Sequence, residues 1–158
     1  MIGNYIRGLA GIPSYAIRAL IGRAPQILKK EVLGFDRDYY NPTLNEFLDG
    51  LQEAHRIMRE NGWVAKRYIK QSRDCDNFAI KMAVELGNAI VDQCELSGKG
   101  VKSGIVCYRK DDGRYHAIVF AELNDGKTVY VEPYVEYGLA MAHLSKTEIK
   151  SIYRKVTI

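Results

Sequence analysis

Residues 74–90 read Asp74-Cys75-Asp76-Asn77-Phe78-Ala79-Ile80-Lys81-Met82-Ala83-Val84-Glu85-Leu86-Gly87-Asn88-Ala89-Ile90. Phe78, Ala79, Met82, Ala83, Leu86 and Ile90 recur here at intervals of three and four, the spacing that puts apolar side chains along one side of an α-helix. A helix beginning at Asp74 or Cys75 and buried along that side is therefore expected. Cys75 falls at its N-terminus, where unpaired backbone N–H groups and the helix dipole favour a negative charge and so ease the loss of a thiol proton. Asp74 and Asp76 flank the thiol and oppose a further negative charge, so a cationic partner is needed from elsewhere in the chain.

Downstream of this helix the apolar period changes to two. Strands are expected near 105–109, at 115–123 and at 128–132, joined by turns at Asp111-Asp112-Gly113 and Asn124-Asp125-Gly126, which makes an antiparallel meander. Pro133 ends the third strand, a capping box at Ser145-Lys146-Thr147-Glu148 opens a short helix, and 152–158 supplies a closing strand. Upstream, Thr43-Leu44-Asn45-Glu46 is another capping box, followed by Phe47, Leu48, Leu51, Ala54, Ile57 and Met58 on one helical stripe that Gly62 stops. Helices followed by antiparallel strands, without βαβ alternation or internal repeat, give the class α+β. Between Pro13 and Gly34 short apolar groups at helical spacing are broken by Gly22 and Pro25, so two short helices are expected there. The organisation is then an N-terminal helical extension, 1–34, and a main domain, 35–158.

The cationic partner is found on the strand at 115–123. Alternation puts His116, Ile118, Phe120 and Glu122 on one face and Tyr115, Ala117, Val119 and Ala121 on the other, and the bulkier face is expected to meet the helix. With a three-residue loop at 124–126, Glu132 falls opposite Ile118 and diagonally beside His116, within reach of its imidazole. A two-residue loop would move Glu132 to the other face and leave Glu122 as the alternative. Cys75 as nucleophile, His116 as general base and Glu132 as the group that orients His116 then form a catalytic set.

Asp74-Cys75-Asp76-Asn77-Phe78-Ala79, then Tyr115-His116-Ala117 opening a strand, then Val131-Glu132-Pro133-Tyr134 closing the next, resembles the papain-like and transglutaminase-like cysteine peptidases of bacteria, phages and some fungal lectins. The separations from Cys75 to His116 and from His116 to Glu132 are similar to those of the fungal agglutinin protease module, which uses a Cys-His-Glu triad. The resemblance runs from about Tyr68 to Tyr134. It implies a papain/transglutaminase-like core, thiol-dependent acyl transfer on protein or peptide amides, and in some relatives a dependence on calcium. Gln71 is the candidate side-chain donor to an oxyanion beside the Cys75 N–H. The same three residues would serve hydrolysis, deamidation or transglutamination, since the acceptor decides among them.

The rest of the chain narrows the classes. The protein has 158 residues, 47% hydrophobic and 27% charged, with a net charge of +4, a composition suited to one globular domain. The first thirty-one residues hold five bases (Arg7, Arg18, Arg23, Lys29, Lys30) against Glu31, so they could dock on a protein partner or on a membrane surface. No nucleic-acid-binding signature is present and no apolar run spans a bilayer. Cys75, Cys94 and Cys107 lack the pairing of a disulfide framework or of a zinc site, so no cofactor is expected, calcium on Asp74, Asp76, Asp111 and Asp112 being the one ion left open. Cys94 and Cys107 read as structural, and His55 and His143 as packing or surface residues. A cytoplasmic location, or a virion if phage-encoded, suits this pattern. The alternative function is a non-enzymatic phage or virion structural or binding module that keeps the fold and binds through its N-terminal helices.

Overall fold

In the computed structural model, residues 31–33, 38–63, 74–134 and 140–158 are described. Helix α1 spans Leu44–Glu60 and opens with both arms of the capping box: Glu46 N–H donates to Thr43 Oγ1 at 3.2 Å, and Thr43 N–H donates to Glu46 Oε2 at 2.7 Å. The Tyr40 hydroxyl also donates to that carboxylate, at 2.9 Å, anchoring the entering chain. Helix α2, Cys75–Gln93, lies against α1, and the two contribute Phe47, Leu51, Met58, Phe78, Met82, Leu86 and Ile90 to the core. Each such side chain taken fully from water contributes about 1.5–3 kcal/mol. Their crossing is tight at Gly50, where a Cβ would stand 2.5 Å from Ile90 Cγ1.

The helices pack on a six-stranded sheet of order β1-β8-β4-β5-β6-β7: β1 Glu31–Leu33, β4 Ser103–Arg109, β5 Tyr115–Glu122, β6 Thr128–Glu132, β7 Ala140–Met141 and β8 Arg154–Thr157. From β8 to β7 all neighbours are antiparallel, and β1 adds to β8 in parallel. A separate parallel pair joins β2, Tyr39–Tyr40, to β3, Gly100–Val101. The α+β class and the Cys-bearing helix on an antiparallel sheet are thus present. A short helix α3, Lys146–Lys150, starts at the Ser145 capping box.

Two expectations are corrected. Glu31–Leu33, read as the end of a helical extension, forms a strand instead, because β8 offers an open edge whose hydrogen bonds outweigh a weak local helical preference. Residues 1–30, with the other expected helical turns and the basic groups, lie outside the described residues. The face of β5 turned to the helices is also the smaller one. Ala117, Val119 and Ala121 join the main core, while Ile118 and Phe120 cluster with Val106, Tyr108, Ala142, Leu144 and Ile152 on the far side. Short side chains on the sheet make room for Phe78, Met82 and Leu86 of α2, and the large ones fill the thinner layer under α3.

Candidate functional site

Cys75 is the first residue of α2, preceded by Asp74 in extended backbone (φ −110°, ψ −171°). His116 is the second residue of β5, so thiol and imidazole meet at one end of the sheet. The hairpin between β5 and β6 turns at Asn124, Asp125 and Gly126. Leu123 N–H donates to Lys127 O at 2.8 Å, and Gly126 takes the left-handed φ of +82° that this turn needs. That register pairs Val119 with Val131 and leaves Glu132 diagonal to His116. His116 Nε2 and Glu132 Oε2 are 2.7 Å apart, and Tyr134 N–H donates to the other carboxylate oxygen at 3.4 Å.

The Cys75 thiol also acts on this imidazole and favours its charged form. Burial by itself would push the His116 imidazolium down, but the hydrogen bonds and charges of Cys75 and Glu132 outweigh it and push its pKa up to about 9. Tyr108 packs edge-on to the ring with centroids 5.8 Å apart. The fallback Glu122 is engaged elsewhere, with Lys102 at 2.8 Å and with Lys155.

A cleft of about 340 Å³ opens over this group, walled by Cys75, His116, Cys107, Tyr115, Tyr153 and Arg154 among others. Tyr115 and Tyr153 meet edge-to-face at 5.7 Å on its rim. Sequence reading assigned neither tyrosine nor Arg154 to the site, because their meeting depends on β8 lying beside β4, which no local pattern encodes. Tyr40 bonds Glu46 and Tyr134 packs on Phe78, so neither belongs to the cleft wall. Cys107 packs beneath α2 as expected, yet it also lines the cleft, and burial raises its thiol to about 11. Gln71 lies outside the described residues. His55 is buried in α1 and His143 is exposed. Among the described residues no three His, Cys, Asp or Glu side chains are placed to hold a metal ion, and no helix is long and apolar enough to cross a membrane.

The fold has solved counterparts. One is a chain described as the PSL1a–E64 complex, with a TM-score of 0.58 and 17% identity, over 89% of this chain and 47% of that one. Another is Polyporus squamosus lectin bound to the glycan Neu5Aca2-6Galb1-4GlcNAc, with a TM-score of 0.52 and 17% identity, over 81% and 43%. The chain therefore spans less than half the length of the solved structures it matches, and at this identity the likeness establishes the fold alone. No family model and no curated protein matches the sequence.

These matches correct the family expected from the motifs. One of these two solved chains carries the name of a lectin, and neither title names a papain-like or transglutaminase-like peptidase. The assignments as enzyme, hydrolase, thiol protease and phage protein give way with it. The Cys-Asp-Asn and His-Ala strings mark a local geometry, and a local geometry does not carry an activity across a fold.

Proposed function

We propose that the chain is a binding module and that Cys75 and His116, the latter bonded to Glu132, form the polar floor of its ligand cleft. The observation that carries this is His116, 2.7 Å from the Glu132 carboxylate, lining an open cleft together with Cys75. With a pKa of about 9, His116 is a cation at neutral pH and offsets Asp74 and Asp76 at the mouth of the thiol site. The cleft offers a ligand both signs of charge beside an aromatic rim, a lining suited to a polar, ring-bearing molecule. The name and glycan of the matched lectin support a binding reading and make the sialylated trisaccharide the first ligand to test.

The test is titration of the chain with that trisaccharide, followed through the His116 ring signals by NMR. Saturable shifts that disappear in Tyr153→Ala are the expected result. Turnover of an amide substrate by the wild type, abolished in Cys75→Ala, would replace the binding reading altogether.

A further inference from the structure

Arg154 lines the cleft half-buried, and among the described residues it forms no ion pair. Its neighbour Lys155 points to the other face of β8, where it lies over the Phe120 ring and is paired with Glu122. Strand register fixes where Arg154 stands. It pairs with Cys107, which pairs with Ala117, so the three side chains form a row on the helix-facing side of the sheet. At a strand spacing of about 4.8 Å, Arg154 is about 10 Å from the strand that carries His116. Tyr153 N–H donates to Cys107 O at 3.1 Å, which seats Tyr153 beside the same row with its ring against Tyr115.

We propose that Arg154 anchors the carboxylate of an acidic sugar, on the reading of the cleft as a ligand site. A guanidinium is a planar fork of N–H donors that meets a carboxylate with two parallel bonds, and it stays charged at every physiological pH. Half-buried and without an internal counter-ion, it attracts an incoming anion with less screening than an exposed cation would. The rest of the lining selects what the carboxylate is attached to. Asp74 and Asp76 repel a second negative charge but accept from hydroxyls, so the ligand turns hydroxyls toward the thiol and its carboxylate toward Arg154. Tyr115 and Tyr153 offer apolar surface to the C–H side of a ring. A volume of about 340 Å³ is at the small end of ligand pockets, so the cleft takes one such ring rather than a long chain.

The full chain is titrated with glucuronate and with the sialylated trisaccharide, each beside its carboxamide, which keeps the shape and loses the charge. Binding is followed through the His116 and Tyr153 ring signals by NMR. The expected result is saturable binding of at least one acid, roughly tenfold or more tighter than its amide, and the acid that binds tells a uronic from a sialic source. Arg154→Gln is expected to weaken the acid alone and so remove the difference, and Arg154→Lys, which keeps the charge without the fork, to fall between. Acid and amide binding alike to the wild type, or a preference for the acid that survives in Arg154→Gln, would overturn the anchor while leaving the cleft a ligand site. No saturable shift from any of the four compounds would overturn the anchor and the cleft reading together.

Discussion

His116 is where burial and charge oppose each other most directly. Its partners Cys75 and Glu132 together win, and the consequence can be measured. Glu132→Gln keeps a hydrogen-bonding atom near Nε2 but removes the charge, so the pKa of His116 is expected to fall from about 9 toward the ordinary imidazole range, read by NMR titration. An unchanged value would mean that Cys75 alone holds the proton. Because the folded pKa lies above the ordinary 6.5, the charged form is stabilised by folding. That contribution is complete below about pH 6.5 and fades as pH rises through about 9. The difference in urea midpoint between wild type and His116→Gln is therefore expected to be largest near pH 6 and to shrink above pH 9. The place of Cys75 at a helix N-terminus beside His116 predicts that at about pH 6 iodoacetamide labels it faster than Cys94 in the wild type, and that His116→Ala removes the difference.

At the scale of elements, two glycines and one cap set the packing, and Gly104 should be the costliest of the three to change. A Cβ at Gly104 would lie 1.9 Å from Val156 O, a backbone atom of β8 that cannot swing aside. Gly104→Ala is expected to cost about 3 kcal/mol or to detach β8. Gly50→Ala meets the Ile90 side chain, which has rotamers to yield with, so about 1 kcal/mol is expected. Thr43→Ala removes one arm of the capping box, worth about 1 kcal/mol. Urea denaturation of the three variants gives the ranking, and a Gly104→Ala protein as stable as Gly50→Ala would refute it. The helices, hairpins and caps were legible in the sequence because each is written in local period and turn residues. The Glu132 register was legible only as one of two loop lengths, and the turn at Asn124-Asp125-Gly126 takes the three-residue form. What faced the helices was not: bulk along β5 says which side is larger, not which side has a neighbour that needs room.

For the whole molecule, the sheet separates a thick core under α1 and α2 from a thin one under α3. Phe78 joins parts of the thick layer, meeting Trp63 at 5.6 Å and Tyr134 at 4.8 Å. Phe78→Ala is expected to cost about 3–5 kcal/mol, loosening the segment after Glu132 along with the helices, while Ile152→Ala in the thin layer costs less. Comparable losses at both would mean that the two layers do not differ in packing. The strand β8 was anticipated, but its seat between β4 and β1, which brings Tyr153 and Arg154 to the cleft, could not be read from order along the chain. That seat has a temporal side. The edge that β1 needs is created by β8, more than a hundred residues later in the chain, so synthesis must run through Thr157 before Glu31–Leu33 can find its partner. Until then the β4–β5–β6 meander exists with one flank bare, and a chain stalled or clipped before Arg154 presents that flank to other molecules as a place to pair.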